Sequence, residues 1–249
     1  MIPARLASTR LPNKALADIG GVPMVVRVAM QAQLSQAVRV VVATQDNAIV
    51  DAVKQAGFEA VLTSTHHLSG TDRLAEACAL LKLAPQTVIV NAQGDEPFID
   101  PALINSIAKL IASDEALDMA TACHTILDPI DIDNPNVVKV VLNHCNEALY
   151  FSRAAIPFVR DNPSAALSPR PMRHIGIYAY RAGYLQRFSQ LSPAPIECLE
   201  SLEQLRALWF GHRIKLHICA TEPAPGVDTP SDLERARAIY LASQRSATN

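Results

Sequence analysis

The sequence has no apolar run approaching the roughly 18 consecutive residues that a membrane-spanning helix needs. It does not open with a charged-then-apolar segment of the secretory kind. Its five cysteines, Cys78, Cys123, Cys145, Cys198 and Cys219, include no C-x-x-C pair. An odd number of scattered thiols argues against a disulfide framework or a zinc ribbon and fits reduced, mostly buried side chains. Neither sign of charge dominates: the formal net charge is −2 over 249 residues. A dedicated binder of nucleic acid or of an anionic membrane usually shows a basic excess. These absences lead us to expect a cytoplasmic protein with no nucleic-acid and no membrane partner.

What is present reads as one globular α/β chain. Apolar residues make up 49% and charged residues 18%, and the length suffices for a single large domain with a sizeable core. In the first half, short β-branched runs at 38–44, 59–63 and 87–93 alternate with helical patterns. One helix is expected from Pro23 to about Leu34. A second follows Asp46 as N-cap and ends at Gly57, and a third is capped by Asp72. That alternation predicts βαβ units, a mostly parallel central sheet with flanking helices, and a Rossmann-like arrangement. The second half departs from it. Segments 136–143, 148–153 and 174–181 are strand-like without full crossovers, which predicts a smaller antiparallel subregion. Residues 157–173 are proline-rich and read as a loop or flap, and helices are expected at 196–209 and 231–243. No linker splits the chain, so residues 1–249 are read as one domain.

Three features carry chemistry. "PARLASTRLPNKAL" (3–16) holds Arg5, Arg10 and Lys14 and no acid, which suits a loop around a polyanion. "NAQGDEP" (91–97) ends a strand with a glycine beside Asp95, where one carboxylate in a crevice suits Mg²⁺. "PGVDTPSDLE" (225–234) sets Asp228 before a helix capped by Thr229 or Ser231; the helix dipole accounts for Asp232 and Glu234 but less well for Asp228. His66 and His67 are adjacent and offer too few ligands for zinc. In "LESLEQLRALW" (199–209) the leucines are expected in the core, with Glu203 and Gln204 on the polar side.

Eight segments in order, "PARLASTRLPNK", "SGTDRLAE", "NAQGDEP", "NPNVVKVV", "LYFSRAAIP", "RHIGIYAYRAG", "LESLEQLR" and "GVDTPSDLE", closely resemble the 3-deoxy-manno-octulosonate (Kdo) cytidylyltransferase family. The resemblance implies a nucleotide-diphospho-sugar transferase fold, usually dimeric, that joins Kdo to CMP from CTP for lipopolysaccharide biosynthesis, with Mg²⁺ as cofactor. It implies that Arg5, Ser8, Arg10 and Lys14 cradle the triphosphate, and that Ser69, Thr71, Arg73 and Gln93 flank the cytidine. Asp95 and Asp228 would hold metal, and Arg5, Lys14, Asp95 and Asp228 would form the catalytic set. Arg153, His174, Tyr178, Glu203 and Gln204 would line the Kdo pocket, Arg153 facing the sugar carboxylate. Residues 1–125 would then mainly bind CTP, and 126–215 mainly the sugar and a second copy. The alternatives are a cytidylyltransferase for sialic acid or 8-amino-Kdo, or an inactive CTP-binding regulator. Three departures from the family pattern stand out. Asn13 replaces a glycine, Gln45 stands where the family often has the acid of an Ala-Thr-Asp run, and only Met1 and Ile2 precede Pro3 where the family has a hydrophobic strand. The last implies an upstream start or a stub of a central strand.

Overall fold

The computed structural model describes residues 1–67, 69–160 and 170–248, with side chains to 245. Residues 161–169 of the expected flap lie outside that range. The strands are β1 (Ile2–Ala4), β2 (Val41–Thr44), β3 (Glu59–Leu62), β4 (Val88–Asn91), β5 (Met119–Thr125), β6 (Lys139–Leu142), β7 (Ala148–Ser152), β8 (Met172–Arg181) and β9 (Ile214–Cys219). The helices are α1 (Met24–Gln33), α2 (Asn47–Gln55), α3 (Gly70–Leu80), α4 (Pro101–Ser113), α5 (Ile130–Asp133), α6 (Ala182–Phe188), α7 (Pro195–Glu200), α8 (Gln204–Trp209) and α9 (Pro230–Thr248).

The first half builds the parallel part. β1, β2 and β3 run side by side, with Ile2 opposite Val42 and Val42 opposite Ala60. The crossovers are α1 and α2, whose apolar faces (Val25, Val28, Ile49, Val53) are fully enclosed. In the second half, β8 is the spine. It pairs antiparallel with β5 along one edge and with β4 and β6 along the other, while β9 adds parallel to β5. Antiparallel pairing therefore reaches further into the chain than the alternation in the first half implies, through β4 as well as β6 and β7.

Local signals explain the ends of elements. Asn13 adopts φ 55°, ψ 28°, the left-handed turn that asparagine tolerates. Asp72 is not the cap of α3: Ser69 is, its Oγ accepting the Asp72 N–H at 3.1 Å. Asp46 does sit at the N-cap position of α2, but its carboxylate turns away and accepts the Leu6 N–H at 2.8 Å. The helix expected over 196–209 breaks at Ser201, in a left-handed conformation, and a bidentate Arg206–Glu197 pair braces the two halves. Leu199, expected in the core, is 85% exposed, whereas Leu202 and Leu205 are buried.

β1 is short but central. Met1 continues it onto β4: its ammonium donates to the Val90 carbonyl at 2.7 Å, and the Ala92 N–H donates to the Met1 carbonyl at 3.0 Å. Burial pushes that ammonium down to about 6. Directly beyond Met1 lies an apolar cavity of about 530 Å³, walled by Val38 and Val40 before β2, by Val88 and Val90 on β4, and by Ile104 on α4. Its walls are those of a strand position between β2 and β4, in line with β1. Filling it with apolar side chains and pairing the facing backbone adds burial and hydrogen bonds. Five apolar residues fused ahead of Met1 are therefore expected to raise the melting temperature by about 5 °C or more. An unchanged melting temperature in a thermal scan of both forms would show that the cavity does not accept a strand.

Candidate active site

The loop after β1 wraps a cavity of about 790 Å³ whose charged lining is Arg5, Arg10, Lys14 and Arg73 against Asp95 and Asp228. Its centre is Lys14. The ammonium lies 2.6 Å from Asp95 Oδ2 and 2.9 Å from Asp228 Oδ1, and Arg10 Nη2 approaches the same Asp228 oxygen at 3.0 Å. Burial alone would lower the Lys14 pKa, but Asp95 and then Asp228 outweigh it and hold it above the ordinary lysine value. Ser8 also lines the cavity, its Oγ accepting the Leu11 N–H within the loop at 3.4 Å.

Two backbone features deliver the carboxylates. At Gly94 a Cβ would stand 2.8 Å from the Pro3 carbonyl, so only glycine lets the loop after β4 pass this close to β1. That passage aims Asp95 at Lys14. The Val227 N–H then donates to the Asp95 carbonyl at 2.8 Å, which pulls the segment carrying Asp228 alongside. α9 fixes that segment from the other end. Thr229 Oγ1 accepts the Asp232 N–H at 3.2 Å while Asp232 Oδ2 accepts the Thr229 N–H at 2.9 Å, a reciprocal cap. Further along α9, Tyr240 lies under the Arg27 guanidinium at 3.8 Å. A Cβ at Gly20, whose φ is +64°, would meet the Tyr240 ring at 2.0 Å. Glu96, next to Asp95, has its carboxyl pushed up to about 7 by burial, with the Asp95 charge adding to the effect.

The far wall comes from α3 and β4. Ser69, Gly70, Arg73 and Gln93 face the cavity, and Gln93 is held by a 3.1 Å bond from Nε2 to the Gly176 carbonyl. Arg73 donates to Thr63 Oγ1 and to Gln45 Oε1, both at 2.8 Å. Thr71 turns inward and donates to Glu203 Oε2 at 2.6 Å, which joins this wall to the residues expected at the sugar. His67 pairs with Glu76 beside it.

Of the residues expected at the sugar, Glu203 and Gln204 depart most from the expected polar, outward face. Gln204 is 5% exposed, and the Glu203 carboxyl is pushed up by burial, its bond from Thr71 opposing the shift. Glu203 Oε1 and Gln204 Nε2 are buried with no hydrogen-bond partner among the described residues, as is Asn91 Oδ1 at the end of β4. Such atoms are costly unless something satisfies them. Asn91 and Tyr180, which bond at 3.4 Å, are thus further candidates that sequence reading missed, although Asn91 opens the "NAQGDEP" segment. His174 and Tyr178 stand side by side on β8, ring centroids 5.5 Å apart, and Phe151 meets the His174 ring edge-on at 4.9 Å. Arg153 sits away from the cationic cavity. Its Nε, Nη1 and Nη2 donate to the carbonyls of Glu200 (2.7 Å), Pro135 (2.9 Å) and Ser201 (3.4 Å).

The two converging carboxylates could hold a divalent ion. Four cations and a polar wall around one cavity can take a nucleoside triphosphate, and comparison with known proteins agrees with a nucleotide site. The family model for cytidylyltransferases matches residues 1–214, and the chain belongs to that family. Within it, the chain belongs with the 3-deoxy-manno-octulosonate cytidylyltransferases. It is 55% identical to the enzyme of that name from Verminephrobacter eiseniae over 97% of this chain and 93% of the relative. It is 56% identical to that from Acidovorax sp. strain JS42 over 96% and 95%. Among solved structures it is similar to a CMP:2-keto-3-deoxy-manno-octonic acid synthetase complexed with CTP, with a TM-score of 0.90 and 42% identity over 97% of each chain. A cytidylyltransferase from Leptospira borgpetersenii, at TM-score 0.62 and 16% identity, shares the fold.

The packing around His174 sets a pH dependence of stability. Burial lowers its pKa from 6.5 to about 3, so the folded imidazole stays neutral where the unfolded one takes a proton. The stabilising contribution is whole above pH 6.5 and drains as pH falls toward 3. At about pH 4.5 this group alone should remove about 2–3 kcal/mol relative to neutral pH. Urea melts at the two pH values should show a loss larger by that amount in the wild type than in His174→Gln. Equal losses in both would mean that His174 is not held neutral.

Proposed function

We propose that the protein catalyses transfer of CMP from CTP to Kdo, giving CMP-Kdo and pyrophosphate, as a step of lipopolysaccharide biosynthesis. The observation that carries this reading is the Lys14 ammonium bridging Asp95 and Asp228 within a cationic cavity. The C2 hydroxyl oxygen of the sugar forms a bond to the α-phosphorus. The bond from that phosphorus to the β-bridging oxygen breaks, pyrophosphate leaves, and the hydroxyl proton is released. Arg5, Arg10 and Lys14 bind the triphosphate and stabilise charge developing on the leaving group. Ser69, Arg73 and Gln93 enclose the nucleoside side. Arg153, anchored by three backbone carbonyls, is the guanidinium we assign to the sugar carboxylate. The buried unpartnered atoms of Glu203 and Gln204 supply an acceptor and a donor for sugar hydroxyls.

Two carboxylates on one ammonium, with phosphate and water completing the shell, fit Mg²⁺ better than a softer ion. Bound there, Mg²⁺ would neutralise the triphosphate and polarise the α-phosphorus. The reading places nucleotide binding mainly in residues 1–125, completed by Asp228, and sugar binding and association of two copies mainly in 126–215. A cytoplasmic homodimer is the form in which we expect the protein to act. No helix among the described residues is long and apolar enough to cross a membrane.

Pyrophosphate release from CTP and Kdo in the presence of Mg²⁺ tests the reaction, and no release above background would contradict it. Asp95→Asn and Asp228→Asn keep shape and remove one ligand charge each, so each should lower turnover about 10²–10³-fold while the fold is retained. Because both act on one centre, the double variant should lose less than the product of the single losses. Near-normal turnover of Asp228→Asn at saturating Mg²⁺ would remove that residue from the metal site.

A further inference from the structure

His174 and Tyr178 are four residues apart on β8, a separation of about 13 Å along a regular strand, yet their ring centroids lie 5.5 Å apart. A bulge makes the difference. Ala120 of β5 faces Ala179 and Ala122 faces Ile175, so Thr121 alone stands opposite residues 176–178. Bulges of this kind re-aim the side chains beside them. Thr121 is fully buried, and its Oγ1 lies 2.7 Å from the Ile177 carbonyl, 3.1 Å from the Ile175 carbonyl and 3.0 Å from His174 Nε2. Gln93 holds the Gly176 carbonyl between them at 3.1 Å.

The donors and acceptors in this cluster allow one assignment. Carbonyl oxygens only accept, so the single Thr121 proton goes to Ile177, the nearer, or is shared with Ile175. Oγ1 then has no proton left for the ring and can only accept from it. Nε2 therefore carries the imidazole proton, and in a neutral ring Nδ1 carries a lone pair. Burial, which pulls the His174 pKa down to about 3, keeps the ring neutral near pH 7. Thr121 is the ring's one hydrogen-bond partner among the described residues, so that lone pair is unspent.

We propose that Thr121 is a positioning residue: it fixes His174 as the Nε2–H tautomer and leaves a bare Nδ1 to accept a hydroxyl of the sugar. The proposal rests on the reading of His174 as part of the sugar pocket. It gives one buried hydroxyl two linked tasks, closing the bulge that brings His174 beside Tyr178 and setting which ring nitrogen can accept.

The test combines heteronuclear NMR of the full-length protein, labelled at its histidine nitrogens, with steady-state kinetics. Ring nitrogens that carry a proton resonate far from those that do not, and His174→Ala identifies the His174 signals by their loss. Near neutral pH the wild-type protein should show His174 with Nε2 protonated and Nδ1 bare. Thr121→Val removes the acceptor, so it should mix the two tautomers and raise the KM for Kdo about tenfold, far more than the KM for CTP or any fall in kcat. Thr121→Ser keeps the hydroxyl and should restore both the tautomer and the KM. A protonated Nδ1 in the wild type overturns the proposal, and should Thr121→Val fail to fold, that wild-type tautomer decides. Thr121→Val with a lower melting temperature but the wild-type KM for Kdo also overturns it, because a merely structural role has that signature. His174→Ala with the wild-type KM for Kdo removes His174 from the sugar pocket, and the proposal falls with that reading.

Discussion

One ammonium group organises this molecule. Lys14 sits 81 residues from Asp95 and 214 from Asp228 in sequence, yet it touches both carboxylates. Two acids brought together repel, and each raises the cost of ionising the other. A cation between them offsets the repulsion and holds both side chains in place. The cluster therefore holds two carboxylates side by side through one ammonium. On the proposed reading, triphosphate entry would offer Lys14 an alternative partner and leave both carboxylates for a divalent ion.

The fold supplies the cluster through its shortest strand. β1 has three residues, but it lies between β2 and β4 and sends the loop carrying Arg5, Arg10 and Lys14 across the sheet's carboxyl end. Its close passage beside Gly94 fixes the Asp95 loop, and the Val227–Asp95 backbone bond fixes the Asp228 segment to that loop in turn. Gly20, Arg27 and Tyr240 anchor α9, so Asp228 is held at both ends. Disturbance of any of these three contacts would reach the chemistry through backbone position rather than through charge.

Much of this was legible in the sequence, and the reasons differ by element. The parallel strands of the first half announce themselves as β-branched runs between capped helices, and the basic loop and Asp95 stand out because acid and cation are segregated. Asp228 was legible because it precedes a helix cap whose acids are otherwise accounted for. The direction in which Glu203 and Gln204 point was not legible. Helical periodicity assumed one helix, and the break at Ser201 together with the Arg206–Glu197 brace turns them inward. Asp46 and Asp72 mislead for a related reason. A capping acid is recognised by position, but a tertiary N–H can capture its carboxylate, as Leu6 does, or a nearby serine can take the role. The binding of Gln45 to Arg73 depends on two elements meeting in space, so periodicity carries no sign of it.

The central claim is that Asp95 and Asp228 form one metal site from which Lys14 moves to phosphate. A crystal structure of the protein grown with CTP and Mn²⁺, measured at the manganese absorption edge, tests it most directly. The account requires an anomalous peak bonded to oxygens of both carboxylates, with the Lys14 ammonium on a phosphate oxygen. A peak held by Asp95 alone, or Lys14 still bridging the two acids with CTP in place, would contradict it.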